Sequence, residues 1–320
     1  MTTILITAIG SFSADVIIKN LNKANFRTVG CDIYPREWIA NTKEVAHFYQ
    51  VPRAGDTSEY IDAIFEICQK EKVQYIFPLT DVEVDVWQNC RSQWENRDDI
   101  VVCISSYETI RICRDKYQIA RFITKNAIEI SPVPTRFLDE FRQEPENFPV
   151  ICKPCDGRSS QGLQKINSTE EWRYFTKKEH SEKYIVQPFI DGCVVTVDVV
   201  RNPATSEIIA VPRKELLRTL NGAGTSVYVF HDSDLEEKCK KLAEALDISG
   251  CVNFEFLQDV AGNYHFLECN PRFSGGAAFT CLAGFDCVTA HLNCYIGKNL
   301  GDFSLSQDIY IARKYQEYII

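Results

Sequence analysis

Basic charge is in short supply. The chain has 320 residues, with 35 Lys and Arg against 44 Asp and Glu and a formal net charge of −9. Phosphate backbones and acidic membranes call for a basic face, so a general nucleic-acid binder or an electrostatic membrane binder is excluded as a first expectation. A local basic pocket for one nucleotide is not. Long apolar runs are missing too; none approaches the roughly 20 residues that a bilayer-crossing helix needs. The opening Met1-Thr2-Thr3-Ile4-Leu5-Ile6-Thr7 lacks a basic segment and a cleavage site. It reads as a strand, and the expected location is the cytoplasm. Glycine is scarce where a dinucleotide would want it. The turn Ala8-Ile9-Gly10-Ser11 has one glycine, so the G-x-G-x-x-G fingerprint fails, although Asp32 stands where a ribose partner belongs. Histidine is also scarce, 5 in all, and none is nominated for chemistry.

Cysteine is the opposite case, with 14 residues. Many sit inside apolar runs, as Cys31, Cys103, Cys152, Cys251 and Cys294 do. They read as free, buried, small hydrophobes. Cys152-Lys153-Pro154-Cys155 has zinc or redox spacing, but no matching second pair follows.

The remaining composition, 45% hydrophobic and 25% charged, is that of a globular protein with two or three subdomains. Strands at residues 4–7, 27–31, 75–78 and 100–104 alternate with helices at 13–24 and 58–70. That is a βαβ pattern with a parallel sheet, a Rossmann-like domain over residues 1–105. Ser106 opens a helix over 108–125. Strands then recur at 148–154, 163–166, 184–190 and 194–200. The second and third units are drawn at 106–185 and 186–320, and the fold class is α/β, turning α+β in the C-terminal half.

Residues 253–272 are the most telling. Apolar residues flank a polar segment containing Gly262, a hairpin signal. With Ala261-Gly262 as a two-residue loop, Glu255 lies opposite Glu268, and Asn270 shares their face. Facing carboxylates repel unless a cation sits between them. Oxygen donors alone suit Mg²⁺ or Mn²⁺. Upstream, residues 157–162 have G-x-x-x-x-G spacing, but Leu163-Gln164 follows and then a strand, which rejects a Walker A loop. Small residues can still fold backbone N–H groups over phosphate. Lys153, at the end of an apolar strand beside that loop, needs an anion. Lys116, taken alone, reads as a solvated helix charge.

Asp115-Lys116, Lys153-Pro154, the 157–162 loop, residues 184–192 (Tyr-Ile-Val-Gln-Pro-Phe-Ile-Asp-Gly) and Glu268-Cys269-Asn270-Pro271-Arg272 occur in that order. The order resembles the ATP-grasp superfamily, of the carbamoyl-phosphate-synthase-like and carboxylate–amine ligase type, over about residues 106–300. The resemblance implies a pre-ATP-grasp domain followed by a two-lobed ATP-grasp fold. It implies that Lys116 and Lys153 contact ATP phosphates and that Ser159, Ser160 and Gly162 close over them. Gln187, Phe189 and Ile190 would form the adenine hinge. Glu255, Glu268 and Asn270 would hold Mg²⁺ (or Mn²⁺). Arg272 would act with Lys153 in catalysis, stabilising the transferring phosphoryl group, and Arg213 would add charge. The sequence departs from the pattern after the hinge, where Pro188 and Cys193-Val194-Val195 replace acidic residues; Asp198 is the candidate substitute at the ribose. The implied activity is ADP-forming ligation of a small-molecule carboxylate to an amine through an acyl phosphate. A homodimer is the assembly common among relatives. A non-catalytic ATP-binding regulator, or a subunit of a carbamoyl-phosphate-synthase-like complex, is the alternative.

Overall fold

The computed structural model describes residues 1–140, 144–158, 160–178, 183–220 and 222–320. The first unit comprises β1 (Thr3–Ile6), α1 (Ala14–Lys23), β2 (Arg27–Asp32), β3 (His47–Gln50), α2 (Thr57–Glu71), β4 (Tyr75–Phe77), α3 (Asp81–Asn89) and β5 (Val101–Val102). Its strands form a parallel sheet in the order β3-β2-β1-β4-β5. The central strand β1 is buried on both faces because helices cover both. Leu5 points to a core with Ile61, Ile64 and Trp87. Its neighbours Ile4 and Ile6 point the other way, into a core that also contains Phe273, Phe279, Val288 and Leu292. That second core fastens the sheet to the C-terminal half.

The middle of the chain contains α4 (Tyr107–Arg114), α5 (Lys116–Lys125), β6 (Ser131–Pro132), β7 (Arg136–Phe137), β8 (Val150–Pro154), β9 (Gln164–Ile166), α6 (Thr169–Thr176) and β10 (Tyr184–Pro188). The single helix expected over 108–125 is two helices. Asp115 leaves the helical conformation, and its side chain accepts from the N–H groups of Tyr117 and Gln118. A carboxylate cap competes well with helix continuation at such a site. Strands β7, β10, β8 and β9 form an antiparallel sheet in that order.

The third unit has β11 (Gly192–Asn202), β12 (Glu207–Arg218), β13 (Gly224–Val229), α7 (Ser233–Ala245), β14 (Gly250–Asp259), β15 (Tyr264–Asn270), α8 (Ala277–Leu282), α9 (Cys287–Ile296) and β16 (Ile309–Ala312). Its seven-stranded sheet runs β16-β13-β12-β11-β14-β15-β6. One face packs on α7 through Val197, Phe254 and Leu242. All 14 cysteines are free thiols, most of them buried. Among the described residues, no helix is long and apolar enough to cross a membrane.

Candidate active site

A cavity of about 490 Å³ opens where the three units meet. Its walls come from the loops after β1 and β4, from β8 and its following loop, and from the β14–β15 hairpin.

The hairpin turn is longer than expected. Asp259 N donates to Asn263 O, and the Asp259 carboxylate accepts from the N–H groups of Ala261 (2.9 Å) and Asn263 (2.8 Å). The loop is therefore Val260-Ala261-Gly262, with Gly262 at φ +89°. This corrects the two-residue loop and shifts the register by one. A β-bulge then restores it. Phe256 pairs with Phe266 but Glu255 pairs with Glu268, leaving Leu267 as the extra residue. Phe266 and Cys269 both enter the core, while Leu267 and Glu268 both line the cavity. Without the bulge, strict alternation from Phe266 would bury Glu268 in the core. The expected pairing is present, for a reason the expectation did not contain.

Glu255 and Glu268 face each other. Burial, and next the Glu268 charge, push the Glu255 carboxyl up to about 7. Burial pushes Glu268 up as well, but Lys116 and Lys153 outweigh it and hold Glu268 below the usual range. Lys116 Nζ lies 3.1 Å from Glu268 Oε2, and Arg218 Nη2 lies 3.3 Å from Glu255 Oε2. Asn270 Nδ2 donates to Glu268 Oε1 (3.4 Å) and Asn253 Oδ1 (3.2 Å). Two half-buried facing carboxylates beside an amide form an oxygen-only donor set, which fits a hard divalent cation.

Lys153 extends from β8 and is 7% exposed. Burial pushes its amine down to about 8, with Lys116 adding to the fall and Glu268 opposing it. Lys116 is not a solvated charge. The Asp115 cap sets it at the first position of α5, where it is buried and donates to Gly157 O at 2.7 Å. Ser160 lines the cavity at φ +57°. Gly162 does not; its carbonyl accepts from the Tyr184 hydroxyl at 3.1 Å, and a Cβ there would lie 2.9 Å from that hydroxyl. Ser159 lies outside the described residues.

Other expected contacts are not brought to the cavity. Gln187 Nε2 donates to Thr135 Oγ1 at 2.8 Å, and the Phe189 ring sits under the Lys165 amine. Neither they nor Ile190 line the wall. Arg213 lines it but is not free charge for phosphate. Its guanidinium is buried against Asp198 (2.7 Å) and Glu215 (3.1 Å), as a buried cation must be. Asp198 is held through Oδ2 by Arg213 and Thr280 and does not line the cavity. Arg272 is engaged bidentately by Asp81, at 3.0 and 2.8 Å.

Asp81, Arg218 and Glu215 were not singled out from sequence. A signal existed for Asp81, since Thr80-Asp81 follows β4, and side chains at the carboxyl ends of parallel strands converge on ligand sites. Burial pushes Asp81 up, but Arg272 and Arg114 bring it below the usual range.

Residues 4–102 match the PylC-like N-terminal domain family. Residues 180–316 match the family described as ATP-grasp in the biosynthetic pathway with Ter operon. The two matches together place an ATP-grasp-like segment behind a PylC-like N-terminal segment. Solved structures share its fold across nearly its whole length. Biotin carboxylase from Campylobacter jejuni, in complex with β,γ-ATP, gives a TM-score of 0.77 at 17% identity, covering 94% of this chain and 72% of that one. N5-carboxyaminoimidazole synthetase from Staphylococcus aureus with ADP gives 0.76 at 15%, covering 97% and 81%. Among curated ATP-grasp proteins, D-alanine–D-alanine ligase from Francisella tularensis subsp. novicida is 27% identical over 178 residues, 52% of this chain and 59% of that one. The carbamoyl phosphate synthase large chain of Clostridium beijerinckii is 24% identical over 178 residues, 51% of this chain but 16% of the relative. The chain thus spans only part of the curated relatives it matches.

Proposed function

We propose that the chain is an ADP-forming ligase that activates a small-molecule carboxylate with ATP and transfers the acyl group to an amine. The observation that carries this is one cavity in which Glu255 faces Glu268 beside Lys116 and Lys153. Glu255, Glu268 and the Asn270 amide would hold Mg²⁺ or Mn²⁺, which supplies charge neutralisation at the phosphates. Lys153 and Lys116 draw the triphosphate into the cavity and fix its orientation. Ser160, on the loop between β8 and β9, closes the site against water. The carboxylate attacks the γ-phosphorus, giving an acyl phosphate and ADP. The amine then displaces phosphate and gives up a proton. Such chemistry asks for positioning and electrostatics rather than a covalent residue. Arg272 reaches a phosphoryl group only by leaving Asp81. That pair is the observation favouring the second reading, a nucleotide-binding regulator that does not turn over.

The deciding experiment is an ADP-release screen of carboxylic acids crossed with amines, with Glu268→Gln as control. The ligase reading expects one pair to stimulate release in the natural chain and none in the variant. Tight Mg·ATP binding with no stimulation across the screen would favour the regulator. A cytoplasmic location and a homodimer belong to the same reading; fractionation and sedimentation test them.

A further inference from the structure

Glu215, on β12, is a buried carboxylate used on one side only. Oε1 accepts from Arg213 Nε at 3.1 Å. Oε2 is buried and has no hydrogen-bond partner among the described residues. A carboxylate oxygen taken from water without a partner costs free energy unless a ligand supplies a donor. Glu215 lines the cavity, as do Thr196, Asn253 and Gly224. Gly224, across the β12–β13 pair, is needed there. A Cβ at that position would lie 1.9 Å from Oε2, so the missing side chain is the room the oxygen occupies. Arg213 is shared by two carboxylates, Asp198 and Glu215, while Glu255 has Arg218.

We propose that Glu215 Oε2 recognises the nucleophile as a protonated primary amine and accepts a hydrogen bond from its ammonium group. This rests on the ligase reading and names the class of its second substrate. A divalent cation fits the spot less well. Arg213 holds the other Glu215 oxygen, which leaves a single carboxylate oxygen, whereas a divalent cation takes about six oxygen donors and an ammonium only a few acceptors.

The test uses the whole chain with Mg·ADP and methylammonium chloride as probe, against potassium chloride at equal ionic strength. Crystals should show the methylammonium nitrogen within hydrogen-bond distance of Oε2. Titration calorimetry should show roughly tenfold weaker methylammonium binding in Glu215→Gln, the loss of one charge-assisted hydrogen bond. Glu215→Asp checks that a shorter carboxylate keeps part of the effect. Equal binding by Glu215→Gln and the natural chain, or Oε2 facing magnesium or only solvent, overturns the proposal. Failure of Mg·ADP to occupy Glu255, Glu268 and Asn270 would instead defeat the ligase reading, whatever happens at Glu215.

Discussion

At the scale of single residues, burial sets the chemistry. Lys153 carries its charge in a place that disfavours it, with an amine near 8. The folded value lies below the ordinary one, so the buried charge is a cost below about pH 8 that lifts as pH rises, while the phosphate-binding form is lost in the same window. Mg·ADP binding should weaken as pH rises through about 8 and should take up a proton there, read by calorimetry in buffers of different ionisation enthalpy. Lys153→Ala should raise the KM for ATP roughly tenfold or more, as loss of a charge-assisted contact does. Glu255 gives the opposite sign on stability. Its raised pKa means that the ionised form strains the fold above the unfolded value. Glu255→Gln should stabilise the ligand-free protein near neutral pH by about 2 kcal/mol and abolish magnesium-dependent ADP release. Thermal melts and a coupled ADP assay check both halves.

At the scale of elements, two local breaks in regular structure aim the site. The break at Asp115 starts α5 afresh and sets Lys116 beside Glu268. Asp115→Ala should cost about 1 kcal/mol of stability, the usual value of a lost cap, and raise the KM for ATP. Asp115→Asn should recover most of both, because an amide oxygen also caps. The bulge at Leu267 is the second break. The composition of residues 253–272 announced a hairpin and named its carboxylates. It did not reveal a three-residue loop compensated by an extra strand residue. Either event alone moves Glu268 to the other face, and neither has a signature that outweighs the simpler two-residue turn.

At the scale of the whole molecule, the N-terminal sheet and the C-terminal half share a core and one ion-pair cluster. Asp81 bridges Arg272 at 2.8 Å and Arg114 at 3.7 Å across that junction. Asp81→Asn should leave the Arg272 guanidinium short of its counter-charge, while Arg114 keeps Asp85 at 2.8 Å, and cost about 3 kcal/mol. Inorganic phosphate should restore part of the loss by entering beside Arg272. Melting curves with and without phosphate check this, and absence of rescue would argue that Arg272 does not face the anion site.

The alternation of strands and helices in the first domain, its parallel sheet, the facing carboxylates of the hairpin and the need of Lys153 for an anion were legible in short-range pattern, because periodicity and residue type are local properties. Which charges are free and which are already matched was decided by the tertiary structure. The resemblance gave Arg213, Arg272 and Asp198 to a nucleotide, yet each is matched by a partner on another element. Lys116 read alone as a surface charge and is buried. Burial and pairing depend on what the rest of the chain brings to within a few ångströms, and no window of sequence contains that.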